Sequence, residues 1–190
     1  TDATLRTDQG NFRGRKNQKE APDPKMMQLH VRSVIDLLSA GEDGKAVAAL
    51  EKAIQSGLNL AGADYLFGLL HEEDDPQNAI KHLQRSVIHS DYALASNLLL
   101  GKITVSLGQL KEAASYNLHA LMLADSRTVE PEHAEEIIQL YDPIFESQSM
   151  IQSEKDLRNL SSAIHSQLTR PDWRTYLKAA RLQLPPQPPK

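Results

Sequence analysis

The sequence contains no cysteine and no long apolar run, and each of these absences excludes a class of protein; aromatic residues are also few. Without cysteine, neither disulfide bonds nor thiol chemistry can operate. No apolar run approaches the roughly 20 residues that a transmembrane helix needs, and no signal peptide is visible, so we expect a cytoplasmic protein without membrane insertion. Because the chain starts at Thr1 rather than methionine, a truncated N-terminus is a further expectation.

The sequence also lacks the motifs of common enzyme classes. It has no glycine-rich phosphate loop, no G-x-S-x-G elbow and no H-E-x-x-H pair, so we predict no catalytic residues and no cofactor. The run His71–Asp75 could suggest a weak divalent-cation site, but five consecutive residues cannot all face one ion. We therefore prefer a solvated turn without metal, and we interpret His82 and His89 as structural or exposed residues.

The charge balance sets limits on the partners. A net charge of −4 argues against nucleic acid as the main partner. Residues 1–22 show almost no apolar periodicity and are rich in basic side chains, which predicts a disordered basic leader. A solvated tail is preferred over a basic arm for RNA or an acidic partner. Residues 185–190 form a proline-rich tail, interpreted as a linker rather than a ligand for an SH3 or WW-type domain.

Apolar residues at helical spacing fill most of the remaining chain. The segment from Leu94 to Ala124 carries two apolar stripes joined at Gly108, and this joint is too short for anything but an antiparallel helix hairpin. Two similar hairpins precede it. The pairs Asp23-Pro24 and Asp75-Pro76 combine a capping residue with a first-turn proline, so they predict the starts of the first and fourth helices.

After Asp125 the helical pattern continues without that regularity. We expect one helix after Glu130-Pro131, ended or kinked at Asp142-Pro143, and another after a capping box at Ser153. A last amphipathic helix follows Pro171. We predict that residues 131–170 cap the third hairpin, and that helix 172–184 either folds back on this cap or docks on another molecule. The large apolar residues of that possible docking helix are Trp173, Tyr176, Leu177 and Leu184.

Small residues recur at a fixed spacing in the three hairpins. Ala46, Ala79 and Ala113 begin the inner faces of the second helices at intervals of 33 and 34 residues. Gly68 and Gly101 lie 33 residues apart in the first helices. Small side chains at such positions let paired helices approach closely, so the spacing indicates a repeated helix pair.

This pattern resembles the tetratricopeptide repeat (TPR) family, whose period is about 34 residues. Phe67-Gly68 and Leu100-Gly101 match the family's Leu-Gly pair, and the resemblance covers roughly residues 27–125. Two departures are Val34 at the small position of the first repeat and Asn117 at a usually apolar position. The resemblance implies an all-α, right-handed helical-repeat solenoid of about three helix hairpins with C-terminal capping helices. The implied boundaries are 1–22, 23–125, 126–184 and 185–190.

In the resembled family, the first helix of each hairpin lines a concave groove. Such a groove receives an amphipathic helix or an extended peptide. The alternative is that the same stripe is ordinary core beneath a neighbouring helix. The corresponding positions, mainly apolar, are Gln28, Val31, Ile35, Leu38, Tyr65, Leu69, Glu72, Leu98, Lys102 and Val105.

Some members of this family hold the acidic C-terminal tails of chaperones with a clamp of lysine, arginine and asparagine side chains. The corresponding positions here are Val31, Ile35, Leu66, Ala95 and Leu99. None of these side chains can donate a hydrogen bond, so a docked carboxylate would lose its hydration without a charged partner. We therefore predict that the chain does not bind acidic chaperone tails.

Two functional hypotheses follow from the sequence. The first is a protein–protein interaction module, a scaffold or adaptor within a larger complex, which binds another protein or peptide on the apolar groove. The second is a regulatory or accessory domain of a multi-domain enzyme or signalling protein. An autonomous enzyme is not expected, because no nucleophile, base or cofactor loop is recognisable.

Overall fold

A computed structural model describes residues 23–182, and all regular structure in that part of the chain is helical. Its α-helices are α1 Pro24–Ser39, α2 Asp43–Gln55, α3 Ala61–Leu70, α4 Pro76–Ser86, α5 Ser90–Ser106, α6 Leu110–Ser126, α7 Ala134–Gln139, α8 Asp142–Ser149, α9 Glu154–Leu168 and α10 Trp173–Leu182. The all-α prediction is confirmed, and none of these described helices is long and apolar enough to cross a membrane. The predicted leader at 1–22, the tail at 185–190 and Leu184 lie outside the described residues.

Local capping groups fix the ends of several helices where the sequence predicts them. The Asp23 carboxylate accepts a hydrogen bond from the Lys25 backbone N–H (3.0 Å), and the Ser153 hydroxyl accepts one from the Asp156 N–H (3.3 Å). Both bonds satisfy first-turn N–H groups that have no partner within the helix. Gly108 follows α5 with φ of 73°, a left-handed conformation that glycine adopts without strain. The predicted turn at Gly108 is therefore confirmed.

The first six helices pack as three successive pairs: α1 with α2, α3 with α4, and α5 with α6. Helix α5 also packs on α3 and α4, and α9 packs on α5 and α6. Ala46, Ala79 and Ala113 are fully buried in the second helices of the pairs. A β-carbon at Gly68 would lie 2.4 Å from Leu83 Cγ, so α3 and α4 approach too closely for a larger residue there.

The apolar core is divided into clusters along the chain. The N-terminal cluster contains Val34, Leu50 and Phe67. The middle cluster joins α4 and α5 through Ala79, Leu83, Leu99, Leu100 and Ile103. A C-terminal cluster joins α6 to the helices that follow it through Leu118, Ala120, Ala124, Tyr141, Ile164, Leu168 and Leu177. Each cluster therefore joins helices that are neighbours in the chain or in the packing order.

The region after Asp125 contains more helices than the sequence predicts. A short 3₁₀ turn, Pro131–His133, precedes α7, which ends at Gln139, and α8 begins at Asp142 with Pro143 in its first turn. Proline fits there because first-turn N–H groups have no partner within the helix. The Asp142-Pro143 pair therefore ends one helix and starts another, and our expectation of only an end or a kink missed α8.

Candidate functional site

Two neighbouring hollows beside α1 form one apolar trough. The larger, about 630 Å³, lies between α1, the turn after α2, the start of α3 and the start of α5. The smaller, about 370 Å³, extends along α1. The two hollows share the side chains of Val31, Ile35, Leu58 and Leu60 as walls. We therefore describe them as a single feature, the N-terminal trough.

Helix α1 forms one wall of the trough because it packs chiefly on α2. Val34 is 3% exposed and lies in the N-terminal core cluster, whereas Ile35 is 55% exposed. Consecutive residues of a helix point about 100° apart, so α1 can bury Val34 and still present Ile35 to the trough. The inward face of α1 holds the helix in place, and the adjacent face stays accessible.

The turn between α2 and α3 supplies a second wall. Gly57 has φ of 102°, and the Leu58 N–H donates to the Ala53 carbonyl oxygen (2.9 Å), which closes α2 and redirects the chain. Leu58 is buried, whereas Leu60 is 52% exposed. Leu58 therefore anchors the turn, and Leu60 keeps about half of its surface accessible to a ligand.

The start of α5 closes the larger hollow. Tyr92 lies against Gly62, where a β-carbon would be 2.6 Å from the tyrosine oxygen, and its ring lies 5.8 Å from the ring of Tyr65. Glycine at position 62 is therefore what lets Tyr92 pack so close to α3. Asp91 borders only this hollow and Arg32 borders only the smaller one, so the two formal charges of the described lining lie in different parts of the trough.

The structure divides the ten predicted groove residues among different surroundings. Gln28, Val31 and Ile35 line the N-terminal trough. Leu38 packs against the N-terminal core cluster, and Leu98 packs against the C-terminal core cluster. For Leu38 and Leu98, the surroundings in the structure are those of core residues.

The remaining predicted positions lie on α3, just after it, and on α5. Tyr65 is half-buried, and burial together with the nearby Glu72 carboxylate raises its pKa. Leu69 is exposed. Lys102 Nζ lies 2.8 Å from Glu72 Oε2, which joins α5 to the turn after α3. Lys102 and Val105 line a separate hollow against α9, so the predicted positions do not surround one cavity.

Several wall residues of the trough were absent from the predicted site, among them Leu58, Leu60 and Tyr92. A sequence signal existed for the two leucines, since Gly57-Leu58-Asn59-Leu60 places two large apolar residues in a short connection between helices. No comparable signal existed for Tyr92. Its place in the trough depends on how α5 packs against α3, which is not a local property of the sequence.

A partly buried cluster of polar side chains joins α3 to α4, with Asp64 and His82 buried and Arg85 exposed. Asp64 Oδ1 accepts a hydrogen bond from Arg85 Nη2 (2.7 Å) and lies 2.7 Å from His82 Nδ1. Burial lowers the pKa of His82, although its hydrogen bond to Asp64 opposes that effect. The His82 ring stacks on Phe67 with 3.8 Å between ring centroids. These contacts agree with the interpretation of His82 as a structural histidine.

The run from His71 to Asp75 makes specific contacts between helices. His71 Nε2 lies 3.5 Å from Glu51 Oε1 on α2, Glu72 pairs with Lys102 on α5, and Asp75 caps α4. Only part of this run is therefore a solvated turn. Within residues 23–182, no group of three or more histidine or acidic side chains is arranged to hold a metal ion.

The C-terminal helix α10 packs on α6. Leu177 is buried in the C-terminal core cluster, and Trp173 is half-buried against it. Arg181 donates a hydrogen bond to the backbone oxygen of Asp125 (3.0 Å) and pairs with its carboxylate. Tyr176 stays 37% exposed. Tyr176 is therefore more accessible than Trp173 and Leu177, the other described large apolar residues of the possible docking helix.

The N-terminal trough is a concave surface lined mainly by apolar side chains. Aliphatic side chains form most of its described walls, so it is suited to burying the apolar side chains of a ligand. Comparisons of the chain with protein-family models, with curated proteins and with solved structures found no match. We therefore infer the function from the geometry of the described residues.

Proposed function

We propose that this chain is a protein–protein interaction module of the helical-repeat class, and that the N-terminal trough receives an amphipathic helix or extended apolar peptide from a partner protein. The exposed aliphatic lining of the trough is the observation that carries this proposal. Ile35 and Leu60 line the same hollow, and each has about half of its surface exposed. Large exposed apolar side chains gathered in a concave surface are typical of recognition sites.

The packing order of the helices supports the repeat part of the proposal. Helix α5 packs on α3 and α4, and α9 packs on α5 and α6. In a TPR-like solenoid, each helix pair contacts its neighbours in this way. On this view α9 takes the place of the first helix of a fourth pair. Such an architecture is suited to a scaffold or adaptor role within a larger complex.

The trough also limits the chemistry of the ligand. Aliphatic walls favour apolar side chains spaced three or four residues apart on a helix, or at alternate positions of an extended peptide. Arg32 favours an acidic residue of the partner in the smaller hollow, and Asp91 favours a basic residue in the larger one. We therefore expect a mainly apolar segment that carries an acidic and a basic residue at separate positions.

The proposal is tested with peptides selected from a displayed random library, using the whole chain as bait. Calorimetric titration should show that the double variant Ile35→Glu, Leu60→Glu binds the selected peptides at least about tenfold more weakly, because each glutamate places a charge against apolar ligand surface. Both residues are more than half exposed, so the substitutions leave the core packing intact.

The matched control is the double variant Ile88→Glu, Met150→Glu. These side chains are 78% and 74% exposed, and neither lines the trough, so the control adds the same charge elsewhere. We expect it to bind the selected peptides like the unaltered chain. Undiminished affinity of the trough variant, or an equal loss in the control, would contradict the proposal.

A further inference from the structure

A second hollow lies between α5 and α9, and most of its accessible surface is carbon although charged and hydroxyl side chains border it. Its volume is about 330 Å³. Its polar lining consists of Lys102 on α5 and Arg158, Ser161, Ser162, His165 and Ser166 on α9. We call this hollow the α5/α9 site. It differs from the N-terminal trough in both position and chemistry.

The sequence of α9 explains why these side chains lie together. The five lining residues of α9 are spaced three, four, seven and eight positions from Arg158, so they share one face of the helix. A neighbouring face carries the apolar residues Leu157, Ile164 and Leu168, which are buried in core clusters. Packing of the apolar face therefore fixes the polar face against α5.

The α5/α9 site contains polar groups whose hydrogen-bonding capacity is unused. Ser161 is 1% exposed, and its hydroxyl has no hydrogen-bond partner among the described residues. The Nδ1 atom of His165 is also buried without a described partner. Buried polar groups in proteins are nearly always hydrogen-bonded. Both atoms lie below the accessible surface, so they show unused hydrogen-bonding capacity beside the hollow and are not themselves the donors that a ligand contacts.

The charges around the hollow favour an anion. Lys102 is paired with Glu72 at 2.8 Å, so its charge is partly offset. Arg158 has no carboxylate within 4 Å among residues 23–182 and gives the hollow its net positive charge. Burial, together with the nearby Lys102 ammonium, lowers the pKa of His165. At neutral pH His165 therefore acts as a neutral hydrogen-bonding group.

We propose that the α5/α9 site binds a phosphoryl group, with Arg158 and Lys102 as charged donors and the hydroxyls of Ser162 and Ser166 as neutral donors. A phosphoryl group carries nearly two negative charges and three strong acceptor oxygens, so it uses more of these donors than a carboxylate does. The hollow is larger than a phosphate ion, which leaves room for the group that bears the phosphate. This proposal does not depend on the N-terminal trough.

The test is a titration of the whole chain with inorganic phosphate at constant ionic strength, followed by amide NMR. We expect saturable shifts in the amides of α5 and α9, and weaker binding of acetate. Arg158→Gln should weaken phosphate binding about tenfold, the effect of losing one charge-assisted hydrogen bond. The matched control is Lys155→Gln, which removes a charge from an exposed position of α9 outside the hollow and should leave the affinity unchanged.

One further variant and one further ligand make the test more specific. Glu72→Gln releases Lys102 from its ion pair and should tighten phosphate binding, whereas an unchanged affinity would overturn the role of Lys102. Tighter binding of O-phosphoserine than of phosphate supports a phosphorylated protein as the source, and equal affinity supports free phosphate. Shifts that do not saturate, or equal losses of phosphate affinity in Arg158→Gln and Lys155→Gln, would show that the shifts come from general ionic screening. Either result would overturn the proposal.

Discussion

The two ends of the helical array differ in how much apolar surface they leave exposed. At the N-terminal end, α1 packs chiefly on α2 and leaves the aliphatic trough open beside it. At the C-terminal end, α9 packs on both α5 and α6, and α10 adds Leu177 to the same core cluster. Apolar side chains of the trough are therefore left exposed at the N-terminal end, whereas Leu177 is buried at the C-terminal end.

A sequence difference accompanies this contrast. Gly68 lets α3 and α4 approach closely, and Gly101 does the same for α5 and α6, where a β-carbon would lie 2.3 Å from the Asn117 side chain. In α1 the corresponding position holds Val34, which is buried and fills the space itself. The first pair therefore lacks the close approach that glycine permits in the next two.

The largest expected effect comes from removing the closure at the C-terminal end. A chain truncated after Arg170 loses the buried Leu177 and the half-buried Trp173, and it exposes the core surface beneath them. We expect the free energy of unfolding to fall by about 3–5 kcal/mol. The melting temperature should fall by roughly 6–20 °C, measured by circular dichroism.

The trough variant Ile35→Glu, Leu60→Glu provides the comparison for this truncation, since it changes the apolar surface of the open end. It should melt within a few degrees of the unaltered chain, because both side chains are more than half exposed. If the truncated chain melts at the same temperature as the unaltered chain, α10 contributes nothing to stability. The claim that α10 stabilises the C-terminal end would then be wrong.

A smaller effect is expected where helices of the second pair meet. Gly68→Val would force its side chain into Leu83 and should destabilise the fold by about 1–3 kcal/mol, measured by urea denaturation. Gly44→Val is the control, because nothing lies within 4 Å of a β-carbon at Gly44. The control should change stability by no more than about 0.5 kcal/mol. Equal stability of the two variants would show that the close approach of α3 and α4 is not required.

The smallest expected effect is a pH dependence of the free energy of unfolding. His82 and His165, which lie in different parts of the molecule, both contribute to it. Burial lowers the pKa of His82 and the pKa of His165 below the ordinary histidine value of 6.5. The unfolded chain therefore binds protons at a pH where the folded chain does not, and protonation favours unfolding. Stability should be greatest above about pH 6.5 and should decline as the pH falls through that value towards the lower pKa of each folded histidine.

Urea midpoints at pH 7.5 and 5.5 measure this dependence. His82→Gln and His165→Gln should each reduce the difference between the two midpoints, because each variant removes one histidine whose pKa is lowered by burial. His133→Gln is the control, because the His133 side chain is 57% exposed. A midpoint that rises on acidification would show that the assigned direction is wrong.

The helices could be predicted from the sequence because their signals are local. Asp23 and Ser153 cap helices through groups two or three residues away, and Gly108 adopts its turn conformation without help from distant residues. Helix α8 was missed because Pro143 indicates either the end of one helix or the first turn of another. Only the packing around that proline decides between the two.

The candidate sites were less predictable because they depend on packing between distant segments. Val31 and Ile35 could be identified because the resemblance to the TPR family implies a groove along the first helix of each pair, and both residues line the trough. The contribution of Tyr92 requires knowledge of how α5 meets α3. The α5/α9 site requires knowledge that α9 packs beside α5, and Arg158 carries no sequence signal for that arrangement.

The most direct test of the central claim is to locate a bound peptide by NMR. A peptide selected by the whole chain is added to protein with labelled methyl groups, and intermolecular nuclear Overhauser effects are measured. The account predicts contacts from the peptide to the methyl groups of Val31, Ile35 and Leu60. Contacts that converge instead on α10 around Tyr176, with none to the N-terminal trough, would contradict it.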